Sequence, residues 1–288
     1  MLYNSAQDWH AASQKRVLLF GMSGLGKTHV SKLLRASGEW FHYSIDYRIG
    51  TRYLGEVIID NAKKEAMRVP FLRELLLTDS IYIGSNIAFE NLAPLSTYLG
   101  KPGDPGKGGL SIAEYCKRQE QHHKAERAAL LDTSHFIARA KEIYGYDNFI
   151  CDSGGSICEV VDPSDPNDPI LENLAQHTLM VWIEGTEAHT AELVRRFDKS
   201  PKPMCYQSAF LEEQWSAFLS AHKCSEAEVD PDAFVRWTFA NAMAHRRPRY
   251  AGMAKWGVQV TADEVAAVRS SEDFSTLIAT AIERKANA

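Results

Sequence analysis

A glycine-rich stretch near the beginning of the sequence most restricts the folds that this chain can adopt. Residues 21–28 read GMSGLGKT and match the pattern G-x-x-x-x-G-K-[ST] at every fixed position. The apolar run KRVLLFG (15–21) precedes the stretch, and apolar residues recur after it at helical spacing until Gly38 stops the pattern. This order predicts a buried strand, a tight turn and then a helix over about 27–37. A strand joined to a helix in this way is typical of a parallel sheet covered by helices.

The chemistry of this turn points to a nucleoside triphosphate. Its glycines allow backbone N–H groups to point inward at phosphate oxygens. Lys27 can reach the β- and γ-phosphates, and the Thr28 hydroxyl can bind Mg²⁺. We therefore expect ATP and Mg²⁺ to be the cofactors. The predicted nucleotide-binding residues of the turn are Gly21, Ser23, Gly24, Leu25, Gly26, Lys27, Thr28 and His29.

Four further apolar runs are predicted to be strands of the same sheet. They alternate with segments that can form helices or loops, so a parallel α/β sheet flanked by helices is expected. The runs are WFHYSID (40–46), DNFICD (147–152), HTLMVWIEG (177–185) and GVQV (257–260).

Asp152 ends one of these runs and is the predicted partner of Thr28 at the metal. A carboxylate at the end of a strand beside the turn can hold the hydration shell of Mg²⁺. Ser153, Gly154 and Gly155 follow it, so an ordinary turn or helix-capping aspartate is the alternative interpretation.

The pattern along the chain predicts one P-loop domain over residues 1–288, interrupted by a mostly helical insertion or cap over 56–145. The clearest helical stretches of the insertion are 62–77 and 112–131. Loops rich in turn residues are expected at 100–109, 160–169 and, with strong charge, 195–204.

Composition excludes several classes of function. The formal net charge is −5 and the isoelectric point is about 6.1. That balance argues against broad, sequence-independent nucleic-acid binding, although a local basic groove remains an open alternative.

The five cysteines form no CxxC pair, which fits reduced thiols in the cytosol. No apolar run approaches the ~20 residues of a membrane span. We expect a soluble, cytoplasmic protein.

The order of motifs resembles shikimate kinase and the wider group of small P-loop metabolite kinases. The segment FHYSIDYRIGTRYLG (41–55) is similar to a family segment with two aspartates one residue apart. The resemblance implies that Asp46, at the second aspartate, binds the substrate hydroxyl and assists its deprotonation. Ser44 stands at the first aspartate, which weakens metal binding there and gives Asp152 a compensating role. The implied fold is a three-layer P-loop NTPase of the nucleoside- and shikimate-kinase type.

Four further segments resemble the acceptor pocket and the lid of that family. LSIAEYC (110–116) leads to a helix on which Glu126 matches a family glutamate, whereas His123 falls at a family arginine. CDSGGS (151–156) keeps two pocket glycines, and VWIEGTEAHTAELVRRFDKSPKPM (181–204) resembles the strand, helix and lid. The fourth segment, HRRPRYAGMAKWGVQVT (245–261), resembles a family helix that carries an acceptor-binding arginine, at the position of Arg246. The resemblance thus implies that the acceptor is contacted by His123, Gly154, Gly155 and Arg246. It also implies that Arg195 or Arg196 packs on adenine and that Lys202 replaces the lid arginine.

These residues favour an ATP-dependent kinase that acts on a small hydroxylated metabolite. Phosphoryl transfer depends on positioning and on positive charge at the transferring group more than on covalent catalysis. Lys27 and Lys202 can supply that charge, and Asp46 can accept the proton of the hydroxyl. Shikimate itself is not the expected acceptor, because His123 replaces an arginine and the insertion should reshape the pocket.

Other interpretations stay open. The chain could be an ATPase or a nucleotide-gated module whose insertion contacts a protein partner, or a nucleotide kinase; the acidic balance disfavours a polynucleotide kinase. Asp46 could cap a helix, and Arg246 and Arg247 could be surface cations. His122 and Glu126 stand four apart on a predicted helix, where we expect a solvated face rather than a metal pair.

Overall fold

A computed structural model of the chain describes residues 1–287, and five parallel strands form its sheet. The strands are β1 Arg16–Phe20, β2 Trp40–Ser44, β3 Asn148–Asp152, β4 Leu179–Glu184 and β5 Val258–Thr261. Their order is β2-β3-β1-β4-β5, and each neighbouring pair is parallel. The predicted parallel α/β sheet flanked by helices is confirmed, and β1 is its middle strand.

The strands form from continuous apolar runs because both faces of the sheet are covered. The last four residues of β1 and the first five of β4 are buried one after another, without alternation. Such runs are typical of parallel sheets, whose crossover connections place helices on the faces. The edge strand β5 differs, since Val258 and Val260 are buried while Gln259 between them is exposed.

Helices account for most of the remaining chain. Their bounds are α1 Ala6–Ala11, α2 Lys27–Ala36, α3 Ile45–Arg48, α4 Gly55–Ala66, α5 Pro70–Leu77, α6 Ala93–Leu99, α7 Ile112–Leu131, α8 Thr133–Tyr144, α9 Ile157–Val160, α10 Pro169–His177, α11 Glu187–Lys199, α12 Ser208–His222, α13 Pro231–Ala254, α14 Ala262–Ala267 and α15 Ser271–Ala286. Within residues 1–287, none of these helices is both long enough and apolar enough to cross a membrane.

The chain separates into two compact units, which we name by their content. The sheet unit comprises Met1–Ile45, Arg127–Pro201 and Arg236–Ala288, and the helical unit comprises Asp46–Glu126 and Lys202–Val235. In the sheet unit, α2 and α8 pack against β2 and β3, α10 packs against β4, and α14 and α15 pack against β5.

The helical unit differs from the predicted insertion at 56–145. Residues 133–144 form α8, which packs on the sheet and therefore belongs with it. The helical unit instead includes residues 202–235, which contain α12. Sequence patterns do not say which core a helix covers.

Two boundaries also differ from the sequence prediction. The predicted helix over 62–77 is divided into α4 and α5, because Pro70 starts α5 and holds Val69 in an extended conformation (φ −96°, ψ 115°). The predicted loop over 195–204 begins as helix, since α11 continues to Lys199. In contrast, α7 covers the predicted stretch 112–131 from end to end.

A matched pair of substitutions tests the packing of the sheet. Ile150 in β3 is fully buried, so Ile150→Ala should lower the free energy of unfolding by about 2–5 kcal/mol through lost burial and a residual cavity. Ile143→Ala is the control, because Ile143 on α8 is 52% exposed and should change stability by no more than about 0.5 kcal/mol. Urea unfolding followed by circular dichroism measures both. Equal effects would contradict the assignment of β3 to the core.

Candidate functional site

The turn between β1 and α2 lies at the carboxyl edge of the middle strand. Gly26 is the N-cap of α2, adopts a left-handed conformation (φ 97°), and no side chain caps the helix there. The first N–H groups of a helix have no partner within the helix and carry the positive end of its dipole. A helix start of this kind is suited to bind a phosphate.

The turn also lies tightly against the neighbouring strand. A Cβ atom on Gly21 would lie 2.6 Å from the carbonyl oxygen of Ile183 in β4, and the φ of Gly21 is 139°. A side chain at position 21 would therefore push the turn off the sheet. Glycine is therefore required at both ends of this stretch of the motif: a side chain would clash at Gly21, and the backbone of Gly26 is left-handed.

The side chain of Lys27 folds back over the turn. Its ammonium donates hydrogen bonds to the carbonyl oxygens of Gly21 (2.7 Å) and Met22 (2.8 Å). The residue is only 5% exposed, although lysine is almost never buried without partners. The backbone of the turn thus fixes a positive charge at the place where the motif predicts one.

Thr28 and Asp152 meet beside the turn. The Thr28 hydroxyl donates a 2.7 Å hydrogen bond to Oδ2 of Asp152. Asp152 reaches this position because β3 pairs with β1, with Asp152 opposite Leu19. Its second oxygen accepts a 3.3 Å hydrogen bond from the Gly154 N–H, so the carboxylate also organises the turn that follows β3. A hydroxyl and a carboxylate are the hard oxygen ligands that Mg²⁺ prefers.

Arg246 is buried beside Gly155, which follows β3, and is not exposed on the surface. Its guanidinium donates to Glu159 Oε1 at 2.5 Å and to the Gly155 carbonyl oxygen at 3.2 Å, and the residue is 2% exposed. The Tyr250 hydroxyl donates to the same carbonyl at 2.9 Å. Gly155 in turn lies next to Ser23, since a Cβ atom on Gly155 would be 3.3 Å from the Ser23 Cβ.

The contacts of Arg246 correct the surface-cation interpretation and add Glu159 and Tyr250 to the residues of the candidate site. The surface-cation alternative is wrong for Arg246 and correct for Arg247, which is exposed and lies 3.5 Å from Glu187. Sequence reasoning missed Glu159 and Tyr250. Tyr250 stands in the R-x-P-x-Y segment and could have been found there, whereas nothing in the sequence marks Glu159 as the partner of Arg246.

Arg195 and Arg196 share one carboxylate on the exposed surface of α11. Each Nε atom lies 2.7 Å from an oxygen of Glu192. These hydrogen bonds, led by the one from Arg195, lower the pKa of Glu192 to about 2. On the same helix, Leu193 lies beside the turn, since a Cβ atom on Gly24 would be 2.6 Å from its Cδ2. The adenine contact of the two arginines stays a prediction.

Three further predicted residues belong to the helical unit. Asp46 is the second residue of α3 and is half-buried, so it lies within the helix and is not its N-cap. His123 is half-buried on α7. Lys202 lines a cavity of about 710 Å³ together with Lys101 and Lys107.

The charges at this cavity are unevenly paired. Lys101 forms an ion pair with Asp232 at 2.6 Å, and Lys107 forms one with Asp230 at 3.5 Å. Within residues 1–287, Lys202 forms no ion pair. Of the three lysines that line the cavity, Lys202 is therefore without a carboxylate at ion-pair distance among the described residues, and Glu90 is a further acidic residue of the lining.

The prediction of a solvated face at His122 and Glu126 is wrong. His122 is 5% exposed and Glu126 is fully buried, because both face the core of the helical unit on α7. Charged and polar residues on a helix are solvated by default, and only tertiary packing reverses that expectation.

Comparison with protein-family models gives no match, and comparison with curated protein sequences gives none either. Among solved structures, the shikimate kinase from Bacteroides thetaiotaomicron is similar to this chain at 14% sequence identity and a TM-score of 0.38. The alignment covers 95% of this chain and 97% of that kinase. The assignment of a parallel α/β fold consistent with P-loop kinases therefore rests on the sheet and the turn themselves.

The ion pair of Arg246 makes a prediction about stability. Glu159→Gln removes the charge that compensates a buried guanidinium, so the free energy of unfolding should fall by about 3–5 kcal/mol. Glu187→Gln removes the exposed partner of Arg247 and should cost no more than about 1 kcal/mol. Chemical unfolding of the two variants provides the comparison. Similar losses in both would show that burial of the Arg246 pair does not matter.

Proposed function

We propose that this chain is an ATP-dependent kinase that transfers the γ-phosphoryl group to a hydroxyl of a small metabolite. The observation that carries the proposal is the contact between Thr28 and Asp152 at 2.7 Å, beside the ammonium of Lys27 and a helix start without a side-chain cap. Phosphate and metal ligands of this kind are the parts that phosphoryl transfer requires.

On the nucleotide side, the roles follow from the contacts. The N–H groups of the turn and the ammonium of Lys27 would donate to the β- and γ-phosphates. Thr28 and Asp152 would hold Mg²⁺ and its water ligands through oxygen atoms. Mg²⁺, when bound, supplies positive charge to the phosphates. Arg195 or Arg196 would pack against adenine.

On the acceptor side, Asp46 would accept the proton of the attacking hydroxyl. The hydroxyl oxygen forms a bond to the γ-phosphorus, the bond to the bridging oxygen of ADP breaks, and the proton passes through Asp46 to solvent. Lys202 would add charge to the transferring group, which fits a lysine without a carboxylate partner. His123, Gly154, Gly155 and Arg246 would form the acceptor site, and shikimate is not the expected acceptor because His123 replaces an arginine.

A second candidate is an ATPase or nucleotide-gated module that binds a protein partner. Helix α5 favours it, because none of its residues is buried. Phe71 and Leu77 of α5 are 72% and 65% exposed, and Tyr82 after the helix is 92% exposed. A surface on which exposed apolar side chains form a contiguous patch is typical of those that bind proteins.

Release of ADP across a panel of hydroxylated metabolites and nucleosides tests the kinase proposal. Turnover should depend on one acceptor, disappear in Lys27→Ala, and fall about 10²–10⁴-fold in kcat for Asp46→Asn, because the proton acceptor is lost. Asp60→Asn is the control, since the Asp60 side chain is 72% exposed on α4 and should not change the rate. Turnover that needs no acceptor and is unchanged in Asp46→Asn would reject transfer to a metabolite and favour the ATPase.

The partner-binding candidate has its own test. Pull-down from cell extract should recover the same protein only with ATP, and Phe71→Ser should abolish the recovery while ADP release persists. Ile143→Ser, which alters an exposed isoleucine of the sheet unit, is the matched control. Equal recovery by the wild type, Phe71→Ser and Lys27→Ala would count against this function.

A further inference from the structure

Three side chains of different chemistry converge inside the helical unit. His122 and Glu126 lie on α7, and Cys205 lies in the segment that leads into α12. One ligand atom from each residue falls within 4.8 Å of the other two, and all three residues are buried. An imidazole, a carboxylate and a thiol buried this close together offer a nitrogen, an oxygen and a sulfur atom to one ion.

The His122–Glu126 pair has the spacing of two ligands on one metal ion. His122 Nδ1 lies 3.6 Å from Glu126 Oε2, and this nitrogen has no hydrogen-bond partner within residues 1–287. Two atoms each about 2.0–2.1 Å from a tetrahedral Zn²⁺ are separated by about 3.4 Å. The gap is therefore too long for a hydrogen bond and close to the edge of a coordination tetrahedron.

Cys205 is held at this place by its two neighbours in the chain. The Met204 carbonyl oxygen accepts hydrogen bonds from the Tyr115 hydroxyl at 3.0 Å and from Gln119 Nε2 at 2.9 Å. The Tyr206 N–H donates to Gln119 Oε1 at 2.9 Å. Both donors and the acceptor lie on α7, so the backbone on each side of Cys205 is fastened to the helix that carries the other two residues.

We propose that His122, Glu126 and Cys205 bind a divalent metal ion of the Zn²⁺ class, with water in the fourth position. A thiolate and an imidazole select Zn²⁺ over Mg²⁺ and Ca²⁺, which prefer oxygen ligands alone. Metal binding takes the neutral imidazole and the deprotonated thiol. On binding, the Cys205 S–H bond breaks, the sulfur bonds to the metal, and the proton leaves to solvent.

The ion would join α7 to the segment that contains Lys202. Cys205 follows Lys202 by three positions, and the residues between α11 and α12 form no helix or strand. A metal bond at Cys205 would restrict this segment more strongly than the three hydrogen bonds of the Met204 and Tyr206 backbone alone. This site is separate from the oxygen ligands Thr28 and Asp152 and does not depend on the kinase proposal.

Titration with Co²⁺ tests the site on the full chain. After dialysis against a chelator, the protein without nucleotide should bind one equivalent of Co²⁺ and show a thiolate-to-cobalt charge-transfer band in the near ultraviolet, which Zn²⁺ should remove by displacement. Cys205→Ser should abolish the band, and His122→Gln should weaken Co²⁺ binding by at least about 10-fold. Cys116→Ser, which alters an exposed thiol on the same helix, is the control and should leave the spectrum unchanged.

X-ray absorption at the zinc edge gives a second measurement that needs no variant. The zinc-loaded wild type should show one sulfur at about 2.3 Å and nitrogen or oxygen ligands at about 2.0–2.1 Å. The proposal is overturned if the wild type binds no stoichiometric Co²⁺, if the band survives in Cys205→Ser, if it disappears in Cys116→Ser, or if zinc has no sulfur neighbour.

Discussion

The parallel pairing of β1 with β3 and β4 is the constraint on which the candidate site depends. Because all strands run in the same direction, their carboxyl ends meet at one edge of the sheet, where ligands of open α/β folds bind. The register that places Asp152 opposite Leu19 brings a carboxylate from a distant part of the chain to Thr28. The contact of the turn with β4 at Ile183 then fixes the backbone of the turn on the other side.

Much of this sheet could be predicted from the sequence, because local patterns determine it. Strands β1 and β4 form from nearly continuous apolar runs, and the turn has glycines where a left-handed φ or a close approach requires them. Helix α7 was predicted to the residue for a similar reason. The division of the helical region could not be predicted in the same way, since packing assigns α8 to the sheet unit and α12 to the helical unit.

The errors about individual residues have a common physical origin. Arg246, Glu159, His122 and Glu126 are charged or polar residues that are buried, and burial of such residues depends on partners far away in the sequence. Arg246 meets Glu159 across 87 positions of the chain, and Cys205 reaches α7 through Met204 and Tyr206. Helical spacing alone identifies the face on which a side chain lies, but it does not say what covers that face.

The edge strand β5 has a consequence for the behaviour of the protein at high concentration. An exposed sheet edge can template the addition of a strand from another copy, which is a common route to aggregation. This edge strand is only four residues long. The side chain of its exposed residue, Gln259, donates a hydrogen bond from Nε2 to Oε2 of Glu184 at 2.6 Å. So short an edge offers few unpaired backbone groups, and extension of the sheet from one molecule to the next is therefore disfavoured on this side.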